Sequence, residues 1–98
     1  MKRPKIVHRS IVCWSSAVVA TEVNDEVILM NLERDRCYGL SGTGSNIWRR
    51  LREPIQVSQL TTQLEYQYDS IPGQIEPDVL LTLRKLAGEG LITVLATA

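Results

Sequence analysis

Two residues, Asn24–Asp25, limit this chain more tightly than any others. Before them runs Ala17-Val18-Val19-Ala20-Thr21-Glu22-Val23, and after them Glu26-Val27-Ile28-Leu29-Met30-Asn31-Leu32, both rich in β-branched and aliphatic residues. A two-residue connection is the commonest hairpin loop, and Asn and Asp are among the few residues that tolerate the left-handed backbone it needs. The two runs read as a β-hairpin, although Asn-Asp is a weaker turn signal than Asn-Gly. A second turn, Glu33-Arg34-Asp35-Arg36, leads into Cys37-Tyr38-Gly39-Leu40, which completes a three-stranded antiparallel meander.

After Leu40 the apolar spacing changes from strand to helix. Ser41-Gly42-Thr43-Gly44-Ser45 is a chain breaker whose hydroxyls can cap a first helical turn. A first helix is expected from about Thr43 to Arg52, burying Ile47, Trp48 and Leu51 and stopped by Pro54. Val57, Leu60 and Leu64 share one face of a second helix, about Val57 to Tyr68. The loop Asp69–Gly73 ends it. A third helix is expected from about Ile75 to Glu89, with Pro77 in its first turn, an apolar set of Val79, Leu80, Leu83, Leu86 and Ala87, and Gly88 and Gly90 as breakers. Leu91–Leu95 has β composition and should pair back as a final strand. Strands followed by helices indicate an α+β fold, a small antiparallel sheet covered on one face by three helices. At 98 residues the chain is one domain. Residues 1–15 read as a basic arm, held loosely, whose patch Ile11–Trp14 adds a strand or packs on the body; the domain proper is 16–98.

The side chains that carry chemistry are sparse. Eleven Lys and Arg balance eleven Asp and Glu, whereas a chain that holds nucleic acid through its phosphates usually has a basic excess. The basic groups Lys2, Arg3, Lys5, Arg9 and Arg49, Arg50, Arg52 read as solvated faces. His8 is the single histidine and lies in the basic arm. Cys13 and Cys37 lack metal spacing, so no zinc site is expected. They are two free thiols, the default in a reducing cytoplasm, or one disulfide. The glycines of Ser41–Ser45 match neither nucleotide-binding motif. Glu76 and Asp78 are what a helix dipole favours. No export signal and no apolar run near the roughly 20 residues of a membrane span are present. The expectation is a cytoplasmic protein that is not an enzyme, with no catalytic residue, no cofactor, no metal, no nucleic-acid partner and no membrane.

A strand with no neighbour on one side leaves N–H and C=O groups that must be protected or used. A partner peptide can use them by adding a strand. Cys37–Leu40 suits that role: Gly39 lets a second backbone approach, and Tyr38 offers a flat face with a polar tip. Composition alone favours the plainer alternative, a half-buried strand aromatic at Tyr38 and a bulge at Gly39.

The segments "EVILMNLERDRCYGLSGTGSNIW" (Glu26–Trp48), "VSQLTTQL" (Val57–Leu64), "DVLLTLRKL" (Asp78–Leu86) and "GLI" (Gly90–Ile92), in that order and spacing, resemble the PqqD-like family over about residues 16–95. The resemblance implies a winged helix-turn-helix-like fold of three strands, three helices and a short C-terminal strand. It implies a stand-alone peptide-recognition domain that binds a precursor's leader as an added strand and delivers it to a leader peptidase or other modifying enzyme. The strand-adding edge would be Arg36, Cys37, Tyr38, Gly39 and Leu40, with a helical wall from Asp78, Val79, Thr82, Leu83, Lys85 and Leu86. Helical spacing cannot turn all of these outward, so some of Val79, Leu83 and Leu86 must be core. Cys37 stands where many relatives have an aromatic or polar residue. On this resemblance the pathway is that of a lasso peptide; the alternatives are a peptide chaperone of pyrroloquinoline quinone assembly, a winged-helix DNA-binding regulator, and a small catalytic subunit using Cys37. The free edge leaves a monomer and an edge-paired dimer both open. A proline at Tyr38 is expected to remove a donor from the docking edge.

Overall fold

The computed structural model describes residues 5–97; Lys2, Arg3 and Pro4 of the expected arm lie outside them. The elements, in chain order, are β1 (Ser10–Trp14), β2 (Val18–Val23), β3 (Glu26–Asn31), β4 (Arg36–Leu40), α1 (Gly42–Arg50), β5 (Ile55–Gln56), α2 (Val57–Tyr68), α3 (Glu76–Gly88) and β6 (Ile92–Thr97). They form two antiparallel three-stranded sheets, one ordered β2-β3-β4 and the other β5-β1-β6. The fold is thus mixed α and β with three helices. One sheet was expected and two are found.

The meander forms as its sequence dictates. Asn24 and Asp25 both adopt positive φ, 50° and 68°, the mirror-image turn that matches strand twist, and Val23 faces Glu26 in register. β4 then pairs with β3 from Val27–Leu40 to Asn31–Arg36. Val27, Leu29 and Asn31 are buried on one face of β3, whereas Met30 on the other face is exposed.

Over the described residues 5–15, the second sheet corrects the reading of a loose arm. Ser10–Trp14 is the central strand of that sheet, pairing with β6 from Ser10–Thr97 to Trp14–Ile92 and with the two residues of β5. The patch Ile11–Trp14 thus adds a strand, the first of the two outcomes the sequence left open. Ile6 and Val12 are fully buried, and burying such side chains contributes about 1.5–3 kcal/mol each. Trp14 stacks on Trp48, ring centroids 4.9 Å apart, and donates its indole N–H to the Trp48 carbonyl at 2.7 Å. β6 pairs with β1 and not with the meander.

The helices fall close to their expected spans. α1 differs at its start: Ser41 makes no capping side-chain bond. The turn is made instead by Gly42 at φ 56°, whose carbonyl accepts from the Ser45 hydroxyl at 2.7 Å. Ile47, Trp48, Leu51, Val57, Leu60, Leu64, Val79, Leu83 and Leu91 are buried together with β1 and β3 residues in one core.

Candidate peptide-docking groove

β4 is an edge of its sheet, and the hairpin fixes which of its backbone groups are free. In a two-residue hairpin the flanking residues exchange both hydrogen bonds, and bonded pairs then alternate along the ladder. Val23–Glu26 is such a pair, so Glu26, Ile28 and Met30 turn their backbone groups toward β2; the Leu32 N–H, donated to the Ala17 carbonyl at 2.9 Å, continues the series. Val27, Leu29 and Asn31 therefore bond to Leu40, Tyr38 and Arg36. Cys37 and Gly39 are left with N–H and C=O directed away from the sheet. The Tyr38 N–H belongs to the β3 ladder, which corrects the expectation that a proline at Tyr38 would remove a docking donor.

The side chains of Tyr38 and Leu40 pack against the core, and that of Cys37 lies on the opposite face, where Gly39 presents only its backbone. The Tyr38 hydroxyl donates to Glu89 Oε2 at 2.6 Å, joining β4 to the residue that follows α3. The Glu89 carboxylate, by accepting this bond and by its charge, together with partial burial, raises the phenol's pKa above its ordinary value; the Arg36 guanidinium opposes the rise. Arg36 Nη1 lies 3.9 Å from the same Glu89 oxygen.

Asn31 ties the β3–β4 turn to the end of α3. Its buried amide donates to the carbonyls of Glu89 at 2.9 Å and Gly90 at 3.3 Å, while its Oδ1 accepts from the N–H groups of Glu33 at 3.0 Å and Arg34 at 3.2 Å. Arg34 in turn donates to the Gly88 carbonyl at 2.8 Å. The β3–β4 turn thus satisfies carbonyls that the end of a helix leaves without partners, and a cation at that end is favoured by the helix dipole. Gly90, at φ +72°, is forced by this contact: a Cβ there would lie 2.8 Å from Asn31 Nδ2.

Toward the other end of α3 a cavity of 210 Å³ is lined by Thr43, Ile47, Ile75, Asp78, Val79 and Thr82. Asp78, Val79 and Thr82 of the expected helical wall therefore meet at one place. Leu83 and Leu86 are buried in the core and Lys85 is exposed outside the cavity, as the helical spacing required for part of the set. Glu89, Asn31, Thr43, Ile47 and Ile75 were not in the expected site. Glu89 carried no signal in the sequence, because its partner is 51 residues away. Among the described residues no cluster of His, Cys, Asp or Glu could hold a metal, and Cys13 and Cys37 are separate thiols.

Residues 26–92 match the family model described as coenzyme PQQ synthesis protein D, PqqD. Among solved structures the chain is similar to TbiB1, determined in complex with the TbiA(beta) leader peptide: 30% identity, TM-score 0.76, covering 88% of this chain and 98% of that one. It is also similar to the PqqD truncation of Methylobacterium extorquens PqqCD, described as a functional, stand-alone recognition element for ribosomally synthesized and post-translationally modified peptides (RiPPs), with 21% identity, TM-score 0.74, and coverage of 91% and 95%. No curated protein sequence matches the chain.

Proposed function

The chain belongs to the PqqD family as a RiPP recognition element, and from that membership we propose that it is a non-catalytic adaptor that binds the leader of a precursor peptide as a fourth strand on β4. The observation that carries this reading is the edge itself: Cys37 and Gly39 direct backbone groups away from the sheet, and Tyr38 between them is bonded to Glu89 at the end of α3. Backbone pairing there supplies affinity. The cavity over Val79 and Thr82 takes a leader side chain at one end of the groove, and the Tyr38–Glu89 pair bounds the other. TbiB1, similar to this chain over nearly its whole length, has been determined with a leader peptide, which supports the same class of ligand.

In this reading the domain presents the leader to a peptidase or other modifying enzyme in a cytoplasmic lasso-peptide pathway, and the helices with the β2–β3–β4 meander act as a winged helix-turn-helix variant turned to peptide binding. The description of the matching family model favours one second reading, leader binding for pyrroloquinoline quinone assembly. Fluorescence-anisotropy titration with labelled leaders encoded beside this gene, run against a DNA duplex at low and moderate salt, tests the proposal. Saturable binding to one leader that changes little with salt is expected, and the leader names the pathway. DNA binding that falls steeply with salt, with no leader bound, would replace the adaptor with a regulator.

A further inference from the structure

The sheet that carries β4 has a second free edge, β2, which leader binding does not use. Val18, Ala20 and Glu22 turn to the same face as the buried Asn31, Leu29 and Val27 opposite them. Ala20 and Glu22 are nevertheless exposed. The strand therefore overhangs the body, and beneath it opens a cavity of 570 Å³ whose lining includes Val18, Ala20, the stacked Trp14 and Trp48, and Arg52.

Two properties of this place point to an occupant. The first is charge. Arg49 at the rim is paired with Glu22 at 2.7 Å, whereas Arg52, also in the lining, has no hydrogen-bond or ion-pair partner among the described residues. One positive charge is left uncompensated beside an aromatic floor. The second is the edge. By the hairpin alternation, Ala20 and Glu22 turn their N–H and C=O groups outward, while the Val18 N–H is used by the Ser15 carbonyl at 3.3 Å. Exposed edges are ordinarily blunted by Lys, Pro or a bulge. β2 has none of these, and its one charged side chain, Glu22, is taken up by Arg49: the register is unbroken from Val18 to Val23, and Val19 and Val23 are 55% and 51% exposed on its other face.

We propose that the β2 edge and the cavity beneath it form a second strand-docking site, which takes an extended segment of a partner protein bearing a carboxylate among apolar side chains. The segment pairs with Ala20 and Glu22, its inward apolar side chains cover Trp14 and Trp48, and its carboxylate meets Arg52. Because β2 and β4 are opposite edges of one sheet, this partner and a leader can be held at the same time. The inference goes beyond leader binding and does not depend on it.

The test is a titration of the isotope-labelled full chain with the acetylated, amidated hexapeptide Val-Thr-Val-Thr-Glu-Thr, whose two Val and one Glu share a face when extended, beside versions with Gln or Lys in place of Glu. Backbone amide signals and the two indole N–H signals are followed by NMR. The Glu peptide is expected to move Ala20, Glu22 and both indoles saturably, the Gln peptide to bind about tenfold more weakly, and the Lys peptide not to bind. Arg52→Glu, a surface change that leaves the fold intact, should weaken the Glu peptide about tenfold. Ala20→Pro, which removes an outward donor and spares the β3 ladder, should abolish binding. A leader added to either variant should still move Cys37 and Gly39 as in the parent. Its failure in all forms would count against the leader reading and leave this one standing. Absence of saturable change at Ala20 and the indoles, equal affinity for the Glu and Lys peptides, or shifts confined to Cys37 and Gly39 would each overturn the second site.

Discussion

The bond between the Tyr38 hydroxyl and Glu89 depends on the phenol keeping its proton. The bond raises the phenol's pKa, so it favours the neutral form, and the stabilisation is fully present below the ordinary tyrosine value of about 10 and lost as pH rises through the raised value. In a Tyr66→Phe/Tyr68→Phe background, which leaves Tyr38 as the one phenol, a Glu89→Gln variant should ionise at lower pH than its parent by ultraviolet titration. An unchanged midpoint would remove Glu89 as the cause. Gly90 is the glycine with the least room for a side chain. Gly90→Ala combines a left-handed φ with a Cβ inside contact distance of Asn31, and should cost about 2–3 kcal/mol by urea denaturation through strain and the loss of one buried hydrogen bond.

At the scale of elements, β4 is an edge with a defined polarity, and its two kinds of residue should respond differently. Gly39→Pro removes an outward donor from a position where an added Cβ meets only Ile28 at 3.9 Å. It should lower leader affinity by more than about tenfold with little change in the unfolding midpoint. Tyr38→Ala should weaken binding less, and Tyr38→Pro should destabilise the sheet by breaking the β3 ladder. That polarity was implicit in the two residues Asn24–Asp25, since the hairpin's bonded pairs follow from its loop length, but reading it required the register across two ladders. The helices were legible because periodic apolar positions such as Val57, Leu60 and Leu64 report a face directly, and α2 falls on its expected bounds. β5 was not legible, because Ile55–Gln56 is two residues long and exists only through its pairing with β1.

The molecule as a whole is flat, with principal extents of 38 × 34 × 19 Å, and one of its two sheets, β5-β1-β6, joins opposite ends of the sequence. The partner of β1 is β6, paired from Ser10 with Thr97, and no local pattern in Ile11–Trp14 could identify a strand so distant. Deleting residues 1–15 removes the central strand of a sheet and the side chains of Ile6, Val12 and Trp14. The loss is on the order of a small domain's whole stability, about 5–15 kcal/mol, so the truncated chain should show no cooperative thermal unfolding by circular dichroism. Among the described residues no helix is long and apolar enough to cross a membrane. The docking claim is tested most directly by amide hydrogen exchange at β4 with and without a saturating leader peptide. Cys37 and Gly39 are expected to exchange quickly in the free protein and to become protected with leader bound, while Tyr38, already inside the ladder, is protected in both. A leader that binds tightly and leaves Cys37 and Gly39 exchanging as before would contradict it.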